Sequence, residues 1–280
     1  MNKSDTFKIL FFGDVVGRPG RFALRDFLAK KIQSGEISKE NTFVIVNVEN
    51  ASHGFGLTEK NYNDISDYGA DCMTSGNHIW DKKDIFEYIE RAPKLVRPLN
   101  YPKTAPGKGS RIFEMPNGTK VGVINILGRV FMGNGTDSYW TMIEDEVKRI
   151  KEVTPVVLID FHAEATAEKI CFAKYCSTLG VSAFFGTHTH IQTADERIMN
   201  NMGYITDVGF CGSFESVIGM DYNTSYNRFT TVAQERYDVA GGDLIQINAA
   251  ELEIDKTNGH TVDIKRISII QDKKDKGNEN

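Results

Sequence analysis

The amino-acid sequence predicts an α/β sandwich with helices packed outside a sheet, on three observations. Short runs rich in Val, Ile, Leu and Phe recur along the chain, segments with helical spacing separate them, and the C-terminal part switches to polar/apolar alternation around a turn. With 280 residues, 40% hydrophobic and 25% charged, the chain is large enough for a full core and near the upper end of one domain. Residues 1–270 are therefore expected as a single domain, and 271–280, polar and lysine-rich, as a flexible tail.

The elements follow in order. Lys8 to Phe12 is the first strand, and Phe22, Leu24, Phe27, Leu28 and Ile32 then share one helical face. Phe43 to Val48 is the next strand, followed by a short amphipathic helix that starts at Thr58, Glu59 and Lys60 and carries Tyr62 and Ile65. Asp71 to Thr74 is a less apolar strand, and a helix begins near Asp81 with Ile85, Phe86 and Ile89 as its apolar positions. Val121 to Leu127, Pro155 to Phe161 and Val181 to Phe185 have the composition of strands covered on both faces, with helices from about Tyr139 to Lys151 and from Ala165 to Leu179 between them. Gly203 to Val208 is a further strand candidate. Gly212 to Arg228, with Phe214, Tyr222 and Tyr226 among polar residues, reads as a long loop whose rings pack on the sheet edge, stack on a base or meet another subunit of a homo-oligomer. Gly242 to Ile254, the turn Thr257-Asn258-Gly259 and His260 to Ile270 form a β-hairpin, expected to complete a second sheet.

A formal charge of −5 opposes an extended nucleic-acid footprint but is compatible with a small phosphorylated substrate. Met1 to Thr6 lacks the apolar stretch of a signal peptide and no run is long enough to cross a bilayer, so the cytoplasm is the expected compartment and no membrane partner is expected. Cys72, Cys171, Cys176 and Cys211 form neither a CxxC pair nor a disulfide framework and are read as buried, reduced thiols.

Chemistry concentrates at the strand ends. The first strand leads into Gly13-Asp14, the second into Glu49-Asn50, Asp71 to Thr74 into Gly76-Asn77-His78, Pro155 to Phe161 into His162, and Val181 to Phe185 into Gly186-Thr187-His188-Thr189-His190. Ligands of open α/β sheets gather outside the carboxyl ends of the strands, so parallel neighbours bring these side chains together. Four of the six histidines fall at these ends, where core or turn histidines satisfied by ordinary hydrogen bonds would not cluster. His188 and His190, two apart, point to one side in an extended segment and can address two adjacent ions. Asp160 and Asp207 are read either as partners that orient ligating histidines or as solvent-facing carboxylates. Arg18 and Arg129 could clamp phosphate but read first as surface arginines, His53 borders the pocket or sits in an exposed turn, and His260 is read as a hairpin residue.

Gly13-Asp14, Glu49-Asn50, Gly76-Asn77-His78, His162 and the GTHTH segment together resemble the ordered motifs of calcineurin-like metallophosphoesterases. The forms GDVVGRPGR, NVENASHGFGLT and SGNHIWD resemble the bacterial YmdB-type subgroup, over about residues 8 to 220. The superfamily pattern has a histidine where this chain has Val16 and a bridging aspartate where it has Glu49; the subgroup is similar to this chain in both.

The resemblance implies a β-sandwich of two mixed sheets flanked by α-helices and a pair of metal ions. One ion would take Asp14, Glu49, Asn50 and His190, and the other Glu49, Asn77, His162 and His188, with Glu49 as the bridge. Iron is the metal the resemblance favours, and the imidazole, carboxylate and amide donors suit manganese as well. Two ions about 3.5–4 Å apart can clamp a phosphoryl group and acidify the water between them. His78 is expected to protonate the leaving oxygen or to hold the phosphate, as a general acid within hydrogen-bond reach. The leading expectation is hydrolysis of a small phosphodiester, with 2′,3′-cyclic nucleotides as the class the resemblance implies. A phosphomonoesterase of a small metabolite and a non-catalytic, metal-stabilised regulatory or RNA-associated protein are the competing readings.

Overall fold

The computed structural model describes residues 5–133, 135–232 and 236–273. Two mixed sheets pack face to face with helices on their outer sides. The first contains β1 (Thr6–Phe12), β2 (Asp14–Val15), β3 (Thr42–Asn47) and β4 (Cys72–Thr74). The second contains β5 (Ser110–Glu114), β6 (Lys120–Leu127), β7 (Val157–His162), β8 (Ala183–Thr187), β9 (Arg197–Met199) and β10 (Met202–Ile205), in the order β5-β6-β7-β8-β10-β9. β11 (Phe210–Ser213), β12 (Leu244–Asp255) and β13 (Thr261–Asp272) return to the first sheet.

The C-terminal hairpin, expected to complete a second sheet, instead joins the first. β12 runs antiparallel to β1 and β11 along one edge and to β13 along the other. Partner choice is set by which apolar faces dock, not by strand order in the chain. β13 also continues through Gln271 and Asp272, so the expected tail begins later; its residues 274–280 lie outside the described residues.

Period-two alternation places each strand residue. On β1, Phe7, Ile9 and Phe11 enter the layer between the sheets, where they meet Leu158 and Phe185 of the second sheet, while Leu10 and Phe12 face the helices. Phe11 stacks on Phe185 with ring centroids 4.3 Å apart. Each such fully buried ring contributes roughly 1.5–3 kcal/mol, and these contacts set the register between the sheets that the site below depends on.

Helix α1 (Gly17–Gln33) lays Leu24, Phe27 and Leu28 on the first sheet; Ile32, expected on that face, is 39% exposed in its last turn. α2 (Glu59–Tyr68) starts where the Thr58 hydroxyl accepts from the Asn61 N–H and stops at Gly69 in the left-handed region. The helix expected near Asp81 is a short 3₁₀ turn, Asn77–Trp80, followed by α3 (Ile85–Tyr88); Phe86 is exposed and stacks on Trp80 instead of entering the core. α4 (Ile143–Lys151) and α5 (Thr166–Thr178) cover the outer face of the second sheet through Ile143, Val147, Ile150 and Phe172. The expected loop 212–228 holds the end of β11, a two-residue hairpin turn at Ile218-Gly219 and most of α6 (Tyr222–Thr230), capped by Asp221. Cys72, Cys176 and Cys211 are buried thiols as expected, but Cys171 is exposed, on the solvent side of α5.

Candidate metal centre

β1, β3 and β4 are parallel, as are β6, β7 and β8, and the carboxyl ends of both groups open on one edge of the sandwich. Asp14, Glu49, Asn50, His162 and His190 are all buried there, and His188 is half-buried. Donor atoms of Glu49, His162 and His188 lie within 4.8 Å of one another, as do those of Asp14, Glu49 and His190. Glu49 belongs to both groups. Its Oε1 lies 2.8 Å from His162 Nε2, and its Oε2 accepts from the His78 N–H at 3.2 Å.

His162 and His190 each have Nδ1 engaged by a group outside the cluster of donors. Thr187 Oγ1 donates to Asp160 Oδ1 at 2.7 Å and therefore accepts from His162 Nδ1 at 2.9 Å, which leaves His162 Nε2 for a ligand. His190 Nδ1 donates to the Ile218 carbonyl at 2.7 Å, leaving Nε2 facing Asn50 Oδ1 at 3.3 Å. His188 sits with Nδ1 3.0 Å from His162 Nε2 and Nε2 3.2 Å from Glu164 Oε2. His188 and His190 do reach different groups of donors, but not through an extended segment. Their φ angles are +105° and +65°, so the backbone turns sharply after β8 and aims the two rings separately.

The turn is anchored from behind. Asp207 Oδ2 accepts from Thr189 N and Oγ1 at 3.1 and 2.8 Å and pairs with the buried Lys169 ammonium at 2.7 Å. Asp160, pushed up to about 6 by burial, is restrained by His162 and by hydrogen bonds from Thr187 and Asn47. Both aspartates thus support the segments that carry the histidines. Thr187, Asn47 and Lys169 escaped the sequence reading. Thr187 and Asn47 lie inside the GTHTH and NVEN strings, but their partners are distant in the chain.

The buried carboxylates and imidazoles of the site shift one another's protonation strongly. Burial pushes the Asp14 carboxyl well up, against His162. Burial also opposes charge on Glu49, yet the His162 imidazolium holds it below the usual carboxylate range. Burial likewise opposes charge on His162, but Glu49 and Asp14 raise it to about 9, whereas burial and His162 lower His188 to about 3.

Three further observations test whether these residues fit metal ions. Asp14 Oδ1 and Asn77 Oδ1 are buried without any hydrogen-bond partner, a costly arrangement that a cation explains. Asn50 Nδ2 donates to the Gly54 carbonyl at 2.7 Å, which turns Oδ1 toward His190. A Cβ on Gly76 would stand 2.2 Å from Glu49 Oε2 and 2.4 Å from His162 Nε2, so only glycine lets the Asn77 turn approach this closely. The donors fit. Val16, where the superfamily has a histidine, packs instead with Phe210 and Met220 in an apolar cluster.

His78 lies at the border of the cluster. Its Nδ1 is 2.8 Å from Asp81 Oδ2, and its ring meets Phe55 edge to face at 4.9 Å. It lines a cavity of about 330 Å³ together with Glu49, Asn50, His188 and His190. Arg18 and His53 open on a separate cavity, and Arg129 and His260 are exposed. Among the described residues no helix is long and apolar enough to cross a membrane.

Residues 10–267 match the family model described as YmdB-like protein. The chain is 43% identical over 269 residues to the 2′,3′-cyclic-nucleotide 2′-phosphodiesterase of Bacillus subtilis (strain 168), covering 95% of this chain and 98% of that one. It is similar to a crystal structure of a hypothetical protein from Thermus thermophilus, with a TM-score of 0.85 and 32% identity, covering 95% of this chain and 100% of that one. A crystal structure of a novel phosphatase from Mycoplasma pneumoniae gives a TM-score of 0.85 and 34% identity, covering 95% and 94%.

Proposed function

The chain belongs to the YmdB-like family, and from that premise we propose that it is a metal-dependent phosphodiesterase acting on small cyclic phosphodiesters, with 2′,3′-cyclic nucleotides as the substrate class. The observation that carries this reading is Glu49, one buried carboxylate shared by two groups of donors whose remaining members fit cations. Asp14, Glu49, Asn50 and His190 would hold one ion and Glu49, Asn77, His162 and His188 the other. Iron is the preferred metal and manganese the alternative, for a donor set of imidazole, carboxylate and amide oxygen without thiolate. Ions bound in such a site draw charge from a phosphoryl oxygen and acidify water, which spares the chain a covalent nucleophile.

The chain's own residues supply orientation and a proton. The Thr187 and Ile218 contacts hold His162 and His190 in the tautomer that presents Nε2. The Asp81 carboxylate accepts a hydrogen bond from His78 Nδ1–H, so Nε2 is the nitrogen a substrate meets. We assign His78 as the general acid that protonates the leaving oxygen from that nitrogen. Phe55 against the ring limits its rotation.

The test compares turnover of 2′,3′-cyclic AMP, bis(p-nitrophenyl) phosphate and p-nitrophenyl phosphate after loading with Fe(II) or Mn(II). Cyclic diester turnover that disappears in Glu49→Gln is expected. A monoesterase is the second reading, favoured by the description of the Mycoplasma neighbour as a phosphatase; activity on the monoester alone would establish it in place of ours.

A further inference from the structure

The cavity beside the cluster of metal donors has two unlike halves. At about 330 Å³ it is near the small end of the roughly 300–1,000 Å³ usual for small-ligand pockets, so it takes one compact ligand. One side is the polar floor of Glu49, Asn50, His78, His188 and His190, and the other is a wall of Phe55, Ile218, Met220, Phe229 and Tyr237. Phosphoryl chemistry accounts for the first half and gives no reason for the second.

The wall is built, not incidental. Phe55 and Tyr237 lie with ring centroids 6.3 Å apart and pack on the Met220 cluster. The Arg228 guanidinium stands 4.3 Å over the Tyr237 ring and fixes it. Phe229 of α6 is 77% exposed at the rim of the same cavity. Phe55 also touches His78, so the aromatic wall begins where the phosphate end of a substrate stops. Ser225, which borders it, has its hydroxyl committed to the Asp221 carbonyl.

We infer that the apolar half of this cavity is a nucleobase subsite, with Phe55 and Tyr237 as its inner wall and Phe229 as the ring at its rim. The inference rests on the phosphodiesterase reading and deepens it: it names the side chains that hold the base and separates them from those that meet the phosphodiester. Every base has a π-face, and stacking on aromatic side chains contributes to binding without reading base identity.

The experiment uses the metal-loaded full chain with two substrates that share a five-membered cyclic diester, 2′,3′-cyclic AMP and glycerol 1,2-cyclic phosphate, which lacks the base. Phe229→Ala, at an exposed position where truncation leaves the core intact, is expected to raise KM for the nucleotide by about tenfold. The ratio of kcat/KM between the two substrates should fall by the same factor. Tyr237→Leu should act in the same direction. Calorimetric binding of adenosine 3′-monophosphate should weaken in parallel, while binding of inorganic phosphate changes far less. Equal effects on both substrates, or no effect on either, would overturn the subsite. If the parent protein hydrolyses neither substrate, the phosphodiesterase reading fails by itself, and the difference between nucleotide and phosphate binding still decides the subsite.

Discussion

His190 Nδ1 donates to the carbonyl of Ile218 at 2.7 Å, and that carbonyl sits in a turn where Ile218 and Gly219 both have positive φ, +47° and +99°. Left-handed backbone costs an L-residue roughly 1–2 kcal/mol, and a β-branched one is rarely found there. Ile218→Asn should therefore raise stability by about 1 kcal/mol in denaturant titrations, with His190 still held because its partner is a backbone atom. A variant less stable than the parent would show that the isoleucine side chain contributes more in packing than its backbone loses.

Thr187 links Asp160 to His162 through a single hydroxyl. Thr187→Val keeps the shape and removes the link, so metal affinity should drop by about 10–100-fold, as when other partners of ligating histidines are lost. Metal content after dialysis against a graded chelator measures it, and unchanged retention would remove Thr187 from the support of the centre.

Gly76→Ala places a methyl group on Glu49 Oε2 and His162 Nε2. The overlap strains the site by an amount on the order of 1–3 kcal/mol, and the donors are expected to move apart while the sheets remain. Normal circular dichroism together with lost metal binding is the expected pair of results; full metal occupancy in a folded variant would contradict the close approach.

Proton release should accompany metal uptake. In the metal-free protein burial opposes charge on His162, but Glu49 and Asp14 raise it to about 9, so the ring is protonated near neutrality and must lose its proton to bind. His188, lowered to about 3 by burial and His162, is already neutral. Affinity should thus rise with pH until about 9, approaching tenfold per pH unit for one displaced proton. Calorimetry near pH 7.5 in buffers of different ionisation enthalpy reads the release directly. Identical heats in all buffers would refute it.

Lys169 and Asp207 are paired at 2.7 Å with both side chains 1% exposed. Lys169→Met leaves the aspartate buried without its cation, and a loss of about 3–5 kcal/mol is expected. Adding Asp207→Asn should recover part of it. Additive losses in the double variant would mean that the pair does not act as a unit.

Much of this centre was legible in the sequence because its donors end a strand or lie within three residues of one: Asp14 after β1, Glu49 after β3, His162 at the end of β7, His188 after β8. What escaped depends on distant partners or on backbone turns that side chains do not announce. Nothing in GTHTH marks two histidines at positive φ; that conformation is imposed by Asp207, Lys169 and Ile218. The segment Tyr222–Thr230 is rich in Asn, Thr, Ser and Tyr, weak helix formers with only Ser225 buried. Asp221, whose carboxylate accepts from Thr224 N at 3.0 Å, was the readable sign of its start. The hairpin's sheet could not be read locally, since β12 alternates equally well against either partner.

The donors come from both halves of the sandwich. Asp14, Glu49, Asn50 and Asn77 follow strands of the first sheet, and His162, His188 and His190 end or follow strands of the second. Neither half can chelate alone. The centre is thus a checkpoint on tertiary assembly: a chain whose sheets have slipped by a few ångströms has no reactive centre, and an ion held between correctly docked sheets acts as a rivet, stabilising the fold by about 2.7 kcal/mol at a hundredfold excess over its dissociation constant. Correct docking of the sheets then comes before chelation, and bound metal reinforces the docking that made its site.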